Sequence, residues 1–286
     1  MLNIATLGPK DTFSDLATKQ YIQAIQAKEP LQTTHIQYYS TLSQTFEAIG
    51  KDCQLGVLPI ENLSEGYVQV VLDQLLDTKL SVISELLLPI QFSFVGFCEQ
   101  LSELTDLYVQ FVAHGQCSEF INGLEGVQIH MTQSNIESLV LAQKKGKTAG
   151  AIIPQHALSQ ASDAKLVNND VTNYRNNQTR FLVLSETPQA RIKGKEYKTT
   201  LVVNNKQDCP GVLGNIVSAF ALQKVNLTSI MSRPTRSQIG NYHFFIDIDG
   251  HQEDGHISAA LTEIQAQYDV TVVGSYIKAV STNDIK

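Results

Sequence analysis

From Leu2 to Leu184, short apolar runs alternate with segments whose apolar residues recur at helical spacing. That alternation constrains the fold more than any other feature of the chain. It predicts strands at residues 2–7, 33–39, 54–60, 81–97, 107–113, 127–132, 148–153 and 179–184. Between them fall helices. One is capped by Asp11 or Thr12 and carries Phe13, Leu16, Ala17, Tyr21 and Ile25 on one face; others lie at 42–50, 68–76, 116–123 and 135–145. Strands alternating with helices imply a mostly parallel sheet covered on both faces. A second set of units starts near Leu80, so two α/β lobes are expected, with ligands between them at the carboxyl ends of the strands. Gly8-Pro9, Glu61-Asn62 and His114 each stand just past a predicted strand.

Residues 186–197 are polar, lysine-containing and without periodicity, which reads as a linker between a domain at 1–185 and one at 198–280. Beyond it the pattern gives a strand at 198–205, a helix at 211–224, strands at 226–233 and 240–248, a helix at 254–267 and a strand at 269–277. That βαββαβ order is ferredoxin-like. Asp208 is placed to cap its first helix, which opens at Pro210-Gly211.

Composition excludes several classes. A net charge of −7 argues against a nucleic-acid partner. No apolar run approaches the ~18 residues of a membrane span, and no secretory leader is visible at Met1. The four cysteines and seven histidines show no metal-ligand or disulfide spacing. A cytoplasmic, metal-free protein is expected, in which the N-x-[ST] sequons at Asn62, Asn177 and Asn226 carry no meaning.

Residues 176–184, Asn-Asn-Gln-Thr-Arg-Phe-Leu-Val-Leu, bring a hydroxyl, a guanidinium and an aromatic ring to the mouth of an apolar strand. Asn177, Thr179, Arg180 and Phe181 resemble the Asn-x-Thr-Arg-Phe signature of the prephenate dehydratase family. Gly8-Pro9-Lys10-Asp11-Thr12-Phe13-Ser14 is similar to the family's opening G-P-x-G-T-F-S, with Asp11 at its glycine. Pro59-Ile60-Glu61-Asn62 and Glu65-Gly66 resemble P-I-E-N-S-x-E-G, with Leu63 at the serine. Asn226-Leu227-Thr228 and Ser232-Arg233-Pro234 resemble the ACT regulatory domain of such enzymes.

The resemblance implies a two-lobed, periplasmic-binding-protein-like α/β catalytic domain with a C-terminal ferredoxin-like (ACT) domain. It implies conversion of prephenate to phenylpyruvate on the route to phenylalanine, without a cofactor. Thr179 is the expected catalytic residue. Asn62, Glu61, Arg180, Phe181, Ser134 and Thr12 are the expected substrate-binding residues. For Arg180 there is an alternative, since strand alternation sets it on the face opposite Thr179 and Phe181, as a cleft wall or structural ion pair. Asn62 either meets a substrate oxygen or the Thr179 hydroxyl, or caps the following helix with Glu61. Gly211, Leu213, Asn226, Leu227, Ser232 and Arg233 are expected to hold L-phenylalanine as a feedback effector, Gly211 as a close-approach glycine. A homodimer or homotetramer is expected, with Val270 to Val273 as the candidate surface. Ala113, Phe120 and Met231 depart from the family pattern and point to weakened catalysis or feedback. Arogenate dehydratase and a non-catalytic amino-acid sensor are the alternative functions.

Overall fold

The computed structural model describes residues 1–204, 210–235 and 242–279, so Asp208 as a cap and the start of the strand expected at 240 lie outside the described residues. The first lobe contains β1 (Leu2–Leu7), α1 (Phe13–Lys28), β2 (Thr34–Tyr39), α2 (Leu42–Glu47), β3 (Leu55–Asn62), β4 (Gly66–Tyr67), α3 (Gln69–Leu75) and β5 (Ser81–Pro89). The chain then enters the second lobe, with β6 (Phe92–Gly96), β7 (Asp106–Gln110), α4 (Phe111–Gln116), α5 (Ser118–Asn122), β8 (Gln128–Thr132), α6 (Asn135–Lys145), β9 (Ala149–Pro154) and β10 (Leu166–Asn168). It returns to the first lobe through β11 (Gln178–Ser185). The C-terminal domain follows as β12 (Tyr197–Asn204), α7 (Val212–Leu222), β13 (Leu227–Pro234), β14 (Tyr242–Asp249), α8 (Gly255–Gln265) and β15 (Asp269–Ile277).

The sheets are mixed rather than mostly parallel. β1 pairs in parallel with β2 and β3, but β11 runs antiparallel to both β3 and β5. The reason is topological: β5 carries the chain out to the second lobe and β11 brings it back, so the two must oppose. In the second lobe β7 is parallel to β8 and β9, while β6 and β10 are antiparallel additions. The strand expected at 107–113 stops at Gln110, whose side-chain oxygen accepts from the backbone N–H of Val112 and Ala113 and so starts α4.

β11 shows how one strand serves two interiors. Phe181 and Val183 join a core with Ile4, Val57, Phe92, Phe94 and Leu107 that runs between the two lobes. Leu182 and Leu184 point the other way, into a cluster with Leu58, Leu72, Val202, Phe245 and Tyr276. The last three of these belong to the C-terminal domain, whose sheet thus covers a face of the first lobe. The two sheets are also hydrogen-bonded into one, in the order β13-β14-β12-β15-β5-β11-β3-β1-β2. β15 pairs with β12 along its length but with β5 only at Ile277–Ser84, so the stretch Val270 to Val273 is paired by β12 on one side and is not covered by β5 on the other; β13 ends the sheet within the C-terminal domain. No helix among the described residues is long and apolar enough to cross a membrane.

Candidate active site

Asn62 ends β3 and Thr179 stands near the start of β11, and the antiparallel register sets them opposite each other. Leu58 and Ile60 face the C-terminal domain, so simple alternation would send Asn62 the same way. A register shift between Arg180 and Phe181 leaves Ile60 as an extra residue in β3. This bulge reverses the parity and turns Asn62 to the Thr179 side.

Asn62 Nδ2 then donates to Thr179 Oγ1 at 2.8 Å and to the carbonyl of Gln178 at 3.4 Å. Its Oδ1 accepts from the Ser64 N–H at 2.9 Å, the Ser64 hydroxyl at 2.7 Å and the Glu65 N–H at 3.1 Å. Two backbone donors on Oδ1 settle which end of the amide is which. Both hydrogens of the Asn62 amide are engaged, one of them in holding Thr179. Thr179 Oγ1 is an acceptor in this pair, which leaves its own hydrogen to donate elsewhere. Both residues are buried, at 9% and 8% exposure.

The other expected site residues are each engaged by their own neighbours. Phe181 is 1% exposed and fills the interlobe core. Glu61 and Arg180 are register partners on the face toward the C-terminal domain, with 3.9 Å between Arg180 Nη1 and Glu61 Oε2. Neither therefore shares the Asn62–Thr179 side, and the Arg180 guanidinium is engaged by Glu85, Asp247 and Tyr276. Burial lifts the Glu61 carboxyl above the usual range despite the attraction of Arg180. Thr12 caps α1, accepting from the Asp15 N–H at 3.3 Å while donating to the Pro9 carbonyl at 3.0 Å. Ser134 caps α6 by accepting from the Glu137 N–H at 3.1 Å.

The lobes meet at several points. His156 Nε2 donates to the Asp11 carbonyl at 3.1 Å, and its ring packs edge-on to Phe13. Asp11 has a φ of 66°, the left-handed region that suits the family's glycine and that Asp tolerates. Asn177, 2% exposed, donates from Nδ2 to Gln116 Oε1 at 3.1 Å, which fastens α4 to the segment leading into β11. Ser118 is bound in the same manner by Asn173 at 2.8 Å. Reasoning from sequence passed over Ser64, and placed Asn177 in the signature without giving it a role. The signal for Ser64 was present: Asn62-Leu63-Ser64 is an Asx-turn pattern as well as a sequon.

Residues 4–189 match the prephenate dehydratase family, and residues 199–265 match the ACT domain. The chain belongs to the prephenate dehydratase family. It is 31% identical to the prephenate dehydratase of Methanocaldococcus jannaschii over 247 residues, covering 86% of this chain and 87% of that protein. The crystal structure of the Staphylococcus aureus prephenate dehydratase superposes with a TM-score of 0.80 at 27% identity, covering 96% of this chain and all of that one. That of the Arthrobacter aurescens prephenate dehydratase in complex with L-Phe gives 0.81 at 25% identity, covering 99% and 94%.

In this member of the family the residues expected to hold phenylalanine are scattered among different duties. Gly211 opens α7 with a φ of 92°, and a Cβ placed there meets nothing within 4 Å. Its glycine is required by backbone conformation, not by close approach. Leu213 is 41% exposed beside it. Asn226 Nδ2 donates to Asp249 Oδ2 at 2.8 Å, and Leu227 packs on the domain's own core. Ser232 is exposed on β13. Arg233 makes a two-point contact with Asp73 of α3, at 2.7 and 2.9 Å, so its fork is not open to a ligand carboxylate. Met231 packs into the apolar cluster shared with the first lobe, where a glutamate would be desolvated.

Proposed function

We propose that the protein catalyses the decarboxylating dehydration of prephenate to phenylpyruvate, with Thr179 as the group that assists the departing hydroxyl. The observation that carries this is the Asn62–Thr179 bond. An amide that donates to Oγ1 leaves the threonine O–H aimed away from it, prepared to donate. The substrate's ring carboxylate leaves as carbon dioxide, its electron pair enters the ring, and the ring hydroxyl leaves with a proton as water. Threonine is a weak acid, so its contribution is a positioned hydrogen bond on the developing hydroxide rather than full proton transfer. With Arg180 engaged elsewhere, substrate carboxylates are assigned to the N-terminal ends of α1 and α6, capped by Thr12 and Ser134, with the Ser134 hydroxyl as a donor. No cofactor need store electrons in this reaction.

L-phenylalanine is the proposed effector, bound by the C-terminal domain near the start of α7. Homodimerisation through the β13 edge, where Ile230 is 43% exposed, is the proposed assembly. Three buried free thiols, Cys53, Cys98 and Cys117, suit the cytoplasm. Incubating purified protein with prephenate, and separately with arogenate, and reading phenylpyruvate absorbance in alkali against phenylalanine formation, decides the substrate. Turnover of prephenate is expected; turnover of neither compound would sink the enzymatic reading.

A further inference from the structure

Arg180 is the neighbour of Thr179 in β11, yet it serves the opposite face. Its guanidinium is held by both domains. Nε donates to Glu85 Oε2 of β5 at 2.7 Å, Nη1 to Asp247 of β14, and Nη2 to the Tyr276 hydroxyl of β15 at 2.7 Å. Asp247 can only accept, so Thr200 must donate to its Oδ1, and the Tyr276 hydroxyl, 2.6 Å from Thr200 Oγ1, must donate to Thr200. The bonds Arg180 to Tyr276, Tyr276 to Thr200, Thr200 to Asp247 and Arg180 to Asp247 thus close a ring. Glu85 is engaged by the C-terminal domain in turn, through Lys198 Nζ at 2.9 Å and the Ala279 N–H at 3.0 Å. Burial opposes the charge on Arg180, but Tyr276, Asp247 and Glu85 outweigh it and keep the guanidinium charged. Such a charge-assisted network, with Glu85, Arg180, Asp247 and Tyr276 all buried, is stiff.

Its location gives it a consequence. The Cα atoms of residues 179 and 180 are ~3.8 Å apart along a strand, so whatever moves Arg180 moves Thr179. The other half of the pair is tied to the same domain. The segment after Asn62 is held to β13 by the hydroxyl contact of Tyr67 with Ser229 and by the Asp73–Arg233 ion pair.

We infer that Arg180 is a positioning residue, through which the C-terminal domain sets the Asn62–Thr179 pair and so governs turnover. This rests on the catalytic reading of Thr179 given above. In the whole chain, Tyr276→Phe opens the ring without altering any charge, and Asp247→Asn removes the charge and one of the two acceptor oxygens, so that residue 247 can no longer accept from both Arg180 and Thr200. Each is expected to lower kcat about tenfold with KM little changed, and to blunt the response of kcat to phenylalanine. Amide hydrogen exchange supplies a readout that needs no substrate. Peptides covering residues 61–65 and 177–182, which share the Leu63 N–H to Gln178 carbonyl bond, should exchange about tenfold faster, while residues 149–154 of the second lobe stay unchanged. Wild-type kcat together with wild-type exchange in folded Tyr276→Phe would overturn the inference. So would equal acceleration at 149–154, which marks general loosening. If wild-type protein turns over no prephenate, the functional reading falls by itself and the exchange data alone decide the coupling.

Discussion

Gly274 of the C-terminal domain lies so close to Val82 of the first lobe that a Cβ on Gly274 would overlap the Val82 carbonyl oxygen and come within 2.9 Å of its nitrogen. Here the two sheets join, two strands away from β3 and one from the strand that bears Thr179. Because both contacting groups are backbone, neither can swing aside. The join therefore depends on a residue without a side chain.

Gly274→Ala is accordingly expected to destabilise the protein by about 1–3 kcal/mol, the usual cost of forcing a carbon into a packed site. Denaturant unfolding with an unchanged slope would read this directly. A variant with the wild-type midpoint would mean that β15 and β5 part without penalty, and that the single sheet is not a mechanical unit.

Much of this architecture was legible from hydrophobic period alone. Thr12 as a cap, the α6 helix and the βαββαβ order follow from local spacing and capping chemistry, which a sequence displays openly. What stayed hidden depends on distant partners. Arg180 reads as a carboxylate clamp because the carboxylates that occupy it stand 95 and 67 residues away. Phe181 offers an aromatic ring in sequence, and only the second lobe closing over it makes it core. The bulge at Ile60 leaves no composition mark, yet it decides which way Asn62 faces. The resemblance pointed to the family that the comparisons show; side-chain direction needed the fold.

Glu61 carries a pH signature. Burial raises its carboxyl above the ordinary value, and Arg180 at 3.9 Å only partly offsets this. A carboxyl with a folded pKa above its unfolded one favours the fold while protonated. That contribution is present below the unfolded value and fades as pH rises through the folded one. Glu61→Gln removes the loss. As pH rises above the ordinary glutamate value of ~4.3, the Tm of the variant should gain on wild type. The reverse trend would show that the attraction of Arg180 outweighs burial.

Leu213 offers a probe of the effector site that spares the fold. It is 41% exposed at the start of α7, where substitutions seldom shift stability by more than ~0.5 kcal/mol. Leu213→Glu places a negative charge beside the N–H groups proposed to receive the phenylalanine carboxylate. Calorimetric titration should show affinity reduced at least about tenfold, or ~1.4 kcal/mol, with Tm unchanged. Equal heats in variant and wild type would place the ligand away from this helix start.

Thr179 and Asn62 can be tested as one unit. Valine has the shape and branching of threonine without the hydroxyl, so Thr179→Val should preserve the fold and lower kcat about a hundredfold or more, ~2.7 kcal/mol of barrier. Asn62→Asp reaches the same end by another route. The new carboxylate still accepts from Ser64 and Glu65, as Oδ1 does in the native chain, but it cannot donate to Thr179. Its second oxygen instead accepts from the threonine, whose hydrogen is then turned away from substrate. The hydroxyl remains, but aimed the wrong way. A comparable loss of kcat is expected, and the double variant should be no worse than either single one, as for groups that act together. If Asn62→Asp retained more than about a tenth of wild-type kcat, ~1.4 kcal/mol or less would separate them and the direction of the Thr179 O–H would not matter to the reaction.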